Sequence, residues 1–327
     1  MMTERGLIPE RTVSRVLDQC LGLSKGEEVV LLTDEGTDVA VVEALRRGVE
    51  SRDAICLVLS MERFARPGSE PPAPVAFLLE AADAAIELTS TFIGSSQARQ
   101  RATLSGTRYI AMPAIEADTF RIGGPLDVNF EALRPTTEKV ARAWEEASTY
   151  RFRTAAGTDL SGSVEGRKGR ALHGIAISWG AYMAPPDIES GTAPVEGSSN
   201  GVVVVDGDFL FMGRGPLNGQ VALHFESGLL VGIEGQEGHR LRDMMDLCAD
   251  PLMTNLAEIS VGLNPNGRVC GIPMETESTL GSGHIALGNS IAYGGSVAAI
   301  AHLDCVFRDV VLELDGRPIL EMGRLVE

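Results

Sequence analysis

Short apolar runs alternate with amphipathic stretches along the first 150 residues. Val29–Leu32, Ala54–Leu59, Ala84–Leu88 and Arg108–Ala111 are brief, apolar and bounded by polar turns, which predicts the buried strands of a parallel sheet. Between the first two, Val41, Val42, Leu45 and Val49 fall on one face of a helix over Val39–Glu50. Glu43, Arg46, Arg47 and Glu50 lie opposite, and Asp38 is placed to cap the N-terminus. Strand and helix alternating in this way predict an α/β domain over residues 1–150, with a doubly wound parallel sheet. The exit from the first strand, Thr33-Asp34-Glu35-Gly36-Thr37, carries no glycine fingerprint for a dinucleotide. A long helix opening near Thr136 or Thr137 and running through Lys139 to about Thr149 is predicted to close this domain.

From residue 151 the pattern changes. Clusters of Gly, Pro, Ser and Asn separate short β-rich runs, Gly201–Val205, Gln220–His224 and Leu229–Ile233, so residues 151–327 are expected to form a mainly β, α+β domain. His239–Leu247 carries one helical pattern, with Leu241, Met244 and Met245 apolar, and a strand around Val310–Leu314 is expected to finish the chain. No internal repeat or low-complexity segment interrupts it.

Composition narrows the function classes. A chain of 327 residues is long enough for two cores, and 44% hydrophobic with 22% charged residues excludes disordered, collagenous and coiled-coil chains. The net charge of −17 repels polyanions, so neither nucleic acid nor an anionic membrane is expected as a partner. The opening residues lack the apolar core of a secretory signal, and the longest uncharged run, Ser278–Ala301, is too rich in Gly, Ser and Asn to cross a bilayer. Five cysteines without a CxxC pair suit free thiols in a reducing, cytoplasmic setting, with Cys305 beside Asp304 the one to follow.

All five histidines, His173, His224, His239, His284 and His302, lie beyond residue 151, which places an expected hydrolytic or metal centre there. The first domain then reads as scaffold, dimer surface or substrate wall. In an extended segment His302 and Asp304 project from one face about 7 Å apart and can converge on a cation. Taken alone, such a pair is common by chance and reads first as an ordinary hydrogen-bonded pair. Its flanks, Ala298–Ala301 and Cys305–Phe307, are apolar, which predicts burial of both groups, and a buried carboxylate demands the compensation that metal ligation supplies. Upstream, Glu277 and His284 flank Gly281 and Gly283, Glu258 opens an apolar strand, and Glu189 lies in a Pro-flanked loop, Pro186–Pro194. Each has a plainer reading: a core histidine for His284, a solvated strand end for Glu258, a surface acid for Glu189.

Taken in order, several segments resemble the aminopeptidase T/aminopeptidase S family of metallopeptidases across the second domain. They are Gly157-Thr158-Asp159-Leu160, Glu189 with Ala193-Pro194-Val195-Glu196-Gly197, Gly201–Gly207, Glu258 with Gly262-Leu263-Asn264-Pro265, Glu277 with Leu280-Gly281, His284–Gly288, Gly294-Gly295 and His302-Leu303-Asp304. The resemblance implies two divalent metal ions (zinc, cobalt or manganese) held by Glu189, Glu258, His284, His302 and Asp304, with Glu258 bridging and Glu277 a further ligand or a partner of one. It implies a metallo-aminopeptidase-like hydrolase that removes the N-terminal residue of a small peptide or aminoacyl amide with a metal-activated water, and a homodimer. Glu196 or Glu189 would shuttle the proton, and Tyr293 would hydrogen-bond the oxyanion. The same scaffold also resembles the ring-cleaving 2,5-dihydroxypyridine 5,6-dioxygenases, which share the His-x-Asp tail and use one Fe(II). There His284, His302 and Asp304 would form the two-histidine, one-carboxylate triad. Glu189 and Glu258 are surplus to that triad and favour the peptidase. A third reading, a binding protein on a decayed peptidase scaffold, predicts missing ligands, and none of the matched positions is missing.

Overall fold

The computed structural model describes residues 8–213, 215–321 and 323–326. A short helix α1 (Glu10–Ser14), continued as a wider π turn over Arg15–Cys20, precedes a regular alternation: β1 (Glu28–Asp34), α2 (Val39–Glu50), β2 (Ile55–Met61), α3 (Ala73–Ala81), β3 (Ala84–Glu87), α4 (Gln97–Leu104) and β4 (Arg108–Ala111). The long α5 (Phe130–Glu146) leads into β5 (Thr149–Arg153), β6 (Asp159–Ser163), β7 (Arg170–Leu172), β8 (Tyr182–Met183), β9 (Glu189–Thr192) and β10 (Asn200–Val205). Next come β11 (Asp208–Phe209), β12 (Val221–Glu226), β13 (Leu229–Glu234), α6 (His239–Cys248), β14 (Leu256–Gly262), α7 (Pro273–Ser278) and β15 (Gly283–Gly288). Four strands close the chain: β16 (His302–Phe307), β17 (Val311–Leu314), β18 (Arg317–Glu321) and β19 (Arg324–Leu325). There are two compact units. The first runs to Leu133 and takes in His173–Asp187, and the second comprises Arg134–Leu172 and the chain from Ile188 onward.

The first unit holds a five-stranded parallel sheet in the order β2-β1-β3-β4-β8. Parallel neighbours need a crossover, and α2, α3 and α4 supply it between successive strands. The face of α2 read from the sequence is largely the buried one, with Val41, Ala44, Leu45 and Val49 inside, and the Asp38 carboxylate accepts the Ala40 N–H at 2.9 Å as its cap. β1, β3 and β4 are buried almost throughout. β2 departs from the expected burial: as an edge strand it has one neighbour, and Ile55, Leu57 and Val58 are exposed. The strand order reverses between β1 and β3, where such sheets commonly bind ligands. There the Asp34 carboxylate is occupied by its own surroundings, accepting the Gly36 N–H, the Ser90 N–H and the Ser90 hydroxyl at 2.8–2.9 Å. A Cβ on Gly36 would fall 2.5 Å from Ser90 Oγ.

The second unit is built on two further sheets, eight strands in the order β13-β12-β10-β6-β5-β17-β18-β19 and six in the order β11-β16-β15-β14-β9-β7. Their described strands pair antiparallel, as short β-rich runs joined by turns require. Phe152 packs edge-on against Phe307 at 5.6 Å and against Trp144 of α5 at 6.3 Å, with all three rings buried. Two boundaries differ from the sequence reading. α5 begins at Phe130 rather than near Thr136, because the Asn129 side chain caps it by accepting the Ala132 N–H at 3.2 Å, and it ends at Glu146. Pro135, which suggests a helix start, lies inside it. The chain also does not finish at β17. Asp315 and Gly316 both take positive φ, 48° and 74°, making the Asp-Gly hairpin turn into β18.

Candidate metal centre

β7, β9, β14, β15 and β16 lie side by side in the six-stranded sheet, and their register decides which side chains meet. Glu189 pairs with Gly262, Ser260 with His284, Glu258 with Ala286, Ala286 with Asp304, and Gly288 with His302. Directly opposed residues point to one side, as does every second residue along a strand. Glu189, Glu258, Ser260, His284, His302 and Asp304 therefore share one face. The residues between them on that face are small: Gly191, Gly262, Ala286 and Gly288. A Cβ on Gly191 would fall 1.6 Å from Ser260 Oγ, and one on Gly262 would fall 2.3 Å from the Thr279 carbonyl oxygen.

The ring nitrogens converge on carboxylates. His284 Nε2 lies 3.1 Å from Glu258 Oε1 and 3.2 Å from Glu189 Oε2, and His302 Nε2 lies 2.8 Å from Glu258 Oε2 and 3.3 Å from Asp304 Oδ1. The Ser260 hydroxyl donates to Glu258 Oε1, and the Tyr293 hydroxyl donates to Glu189 Oε1 at 3.1 Å. Donor atoms of Glu189, Glu258 and His284 lie within 4.8 Å of one another, as do those of Glu258, His302 and Asp304, and those of Glu277, His284 and Asp304.

This arrangement fits a cation. An imidazole Nε2 carries at most one hydrogen, yet each of these two faces two carboxylate oxygens. His302 Nδ1 donates to the Asn289 carbonyl at 2.7 Å, which in the neutral ring leaves a lone pair on Nε2 pointing at Glu258 and Asp304. A lone pair directed at carboxylates requires positive charge between them, either a proton or a metal ion. Glu189 Oε2, though buried, accepts no hydrogen bond among the described residues.

The electrostatics follow from burial and from these partners. Burial pushes the Glu258 carboxyl up, but hydrogen bonds from His284 and His302 outweigh it and hold the group well below the usual carboxylate range. Burial also opposes the His284 imidazolium, yet the Glu189 charge and the Glu258 hydrogen bond raise it to about 9. His302 is raised well above its ordinary value by Asp304 and Glu258 against the same penalty. Glu189, governed chiefly by burial, rises to about 7. The field that holds protons on the two Nε2 atoms is the field that attracts a divalent cation, so protons and metal compete for these atoms.

Several residues sit differently from their sequence reading. Glu189 is on a strand rather than in a loop, and Glu258 is a fully buried mid-strand residue rather than a solvated end. His302 and Asp304 are partly exposed, with side chains at 21% and 16%. Glu277 is buried on α7 and joins the third donor group. Glu196 is engaged by the Arg167 guanidinium and by the Ser296 N–H and hydroxyl at 2.8 and 2.9 Å, so it fastens the loop before β16. The Cys305 thiol, which alternation turns to the other face, is pushed up by burial and offers no reactive thiolate. His173 accepts the Ile175 N–H at 3.2 Å, His224 faces Glu234 at 3.4 Å, and His239 Nδ1 lies 3.1 Å from the Gln236 carbonyl. Ser260 was legible as the residue two beyond Glu258 on the same strand. Asn289 and Arg170 carry no local signal.

A family model described as NicX, 2,5-dihydroxypyridine 5,6-dioxygenase, matches residues 10–327. The curated 2,5-dihydroxypyridine 5,6-dioxygenase of Pseudomonas putida KT2440 is 26% identical over 193 residues, covering 56% of this chain and 55% of that protein, so the match spans about half the relative's length. Among solved structures, 2,5-dihydroxypyridine dioxygenase from Pseudomonas putida KT2440 matches with a TM-score of 0.78 at 20% identity, over 97% of this chain and 96% of that one. Wild-type AmpT from Thermus thermophilus matches with a TM-score of 0.70 at 18% identity, over 97% and 98%. At such identities the two structures show the fold alone.

The aminopeptidase T/aminopeptidase S assignment is overturned by the family model, which spans the chain and describes a dioxygenase. The metallo-aminopeptidase-like hydrolase activity and the peptide or aminoacyl amide substrate fall with it. Short motifs in a shared order report a common scaffold, and both groups of enzymes are built on it. The surplus acids Glu189 and Glu258 do not separate the two. No described helix is long and apolar enough to cross a membrane. With its sequence matched from residue 10 to 327, the chain belongs to the 2,5-dihydroxypyridine 5,6-dioxygenase family.

Proposed function

We propose that this protein is a ring-cleaving dioxygenase that uses one Fe(II) and acts on a dihydroxylated pyridine of the 2,5-dihydroxypyridine class. The observation that carries the reading is the single sheet face on which two imidazole Nε2 atoms and a set of carboxylates converge, in a chain of this family. Asp304 is common to a donor group of His284 and a donor group of His302, and these three residues would supply the two nitrogens and one oxygen of a set that suits Fe(II) and ring-cleaving oxygen chemistry. Iron, when bound, would supply the oxygen chemistry that no side chain here can perform.

The protein's own contribution is to aim and charge this set. Glu258 faces both ligating nitrogens with its two oxygens, so it would stand beside them as a further oxygen donor and negative charge toward the cation. The Asn289 carbonyl fixes the tautomer of His302, and Ser260 fixes Glu258. Cleavage would break the bond between ring carbons 5 and 6 and place both atoms of O2 in the product. The test is anaerobic loading with Fe(II), a metal count, and oxygen uptake on adding 2,5-dihydroxypyridine. One iron per chain and one O2 consumed per ring lost is the expected result. An iron-loaded protein that takes up no oxygen with this substrate overturns the proposal.

A further inference from the structure

The loop between β15 and β16 contacts the donor set at more than one point. Asn289 accepts from His302 Nδ1, and four residues later Tyr293 lies parallel to the His302 ring, with centroids 5.5 Å apart and planes 6° apart. Its hydroxyl donates to Glu189 Oε1. Tyr293 therefore touches one donor from each of two three-donor groups. Arg170 is what holds it. On β7, Arg170 pairs with Gly191, which puts its side chain on the donor face. Its guanidinium carbon lies 4.5 Å from the Tyr293 ring centroid, and its Nη1 donates to the neighbouring Ala292 carbonyl at 2.8 Å.

We infer that Arg170 is a positioning residue which, through Tyr293, sets the orientation of His302 and Glu189 for metal binding. This rests on reading the face as a metal centre. The plane of an imidazole determines where its Nε2 lone pair points. A hydrogen bond at Nδ1 fixes one axis of the ring, and a stacked neighbour fixes rotation about it. The planar guanidinium both stacks on the tyrosine and ties down the backbone beside it, which a lysine cannot do together. The Arg170 side chain is half-buried at the sheet edge, so its removal touches little of the core.

Co(II) titration of the full chain, followed by visible absorption, tests this in wild type, Arg170→Met, Arg170→Lys, Tyr293→Phe and Tyr293→Leu, with metal-free thermal melts alongside. Tyr293→Leu is expected to weaken Co(II) binding about 10- to 100-fold. Arg170→Met should weaken it about 10-fold with a shifted Co(II) band, at the low end of what loss of an outer partner of a ligand causes, and Arg170→Lys should recover only part. Tyr293→Phe, which keeps the stack and loses the bond to Glu189, should fall between wild type and Tyr293→Leu, with melts unchanged throughout. Wild-type affinity and spectrum in Arg170→Met, or in Tyr293→Leu, would overturn the inference and leave the metal centre standing. Failure of the wild type to bind Co(II) would sink the metal centre and this inference together.

Discussion

Glu87 in the first unit and Glu258 in the second are both shut away from water completely, and they meet the same problem in opposite ways. Glu87, at the end of β3, is surrounded by neutral donors: the Tyr109 hydroxyl at 2.9 Å, the Ile93 N–H at 2.7 Å and the Thr89 hydroxyl at 3.2 Å. Burial dominates, and its carboxyl is pushed up to about 7. Glu258 is equally buried but lies between two imidazoles, and its carboxyl is held well below the usual range. Neutral hydrogen bonds satisfy the lone pairs of a carboxylate without offsetting the desolvation of its charge, whereas a nearby positive group does offset it. The first unit can therefore keep a neutral acid as part of its scaffold. The second keeps its carboxylate charged and needs a cation beside it.

The contrast is largest at His302. His302→Ala removes one of the two positive partners and a metal donor, and metal affinity is expected to fall by at least about 100-fold with oxygen uptake lost. Isothermal titration beside far-UV circular dichroism checks this, and full affinity in a folded variant would take His302 out of the centre. Glu258→Gln keeps the shape of the buried group and removes its charge, and metal binding should weaken about 10- to 100-fold, read by the same titration.

Glu87→Gln sharpens the other side. The folded carboxyl titrates at about 7, above its unfolded value, so the native state binds the extra proton between the two. The stability this contributes is fully present below the unfolded value and is lost as pH rises through about 7. Denaturant melts of the wild type should therefore weaken by on the order of 2 kcal/mol between pH 5 and 8 from this group, while Glu87→Gln lacks that slope. Equal slopes in the two proteins would show that Glu87 is not the responsible group. The smallest effect is expected at Asp38→Ala, where loss of the α2 cap should cost about 1 kcal/mol in a chemical melt without changing metal binding.

Local patterns carried much of the first unit. The bounds of α2, its cap and its apolar face follow from spacing and one side chain, because a helix is decided within a few residues. The alternation that places His302 and Asp304 on one face of β16 is equally local. What was hidden depends on neighbours in space. The exposure of β2 follows from its place at the sheet edge, and the burial of Glu258 follows from having β9 and β15 on either side. The Asn129 cap and the Asp315-Gly316 turn rest on residue types the sequence displays, yet the helix was expected only near Thr136 or Thr137 and the chain to finish one strand earlier.

By itself the sequence determined the alternation of strands and helices in the first unit, and that titratable groups suited to a metal gather in its later part, since both follow from residue type and short-range period. Only the tertiary structure decided that Glu189, Glu258, His284, His302 and Asp304 meet, that Glu258 serves both imidazoles, and that Arg170 reaches Tyr293. These depend on the register of five strands drawn from distant parts of the chain. A slip of one residue in any strand would turn its donor to the opposite face, and no local pattern records that choice.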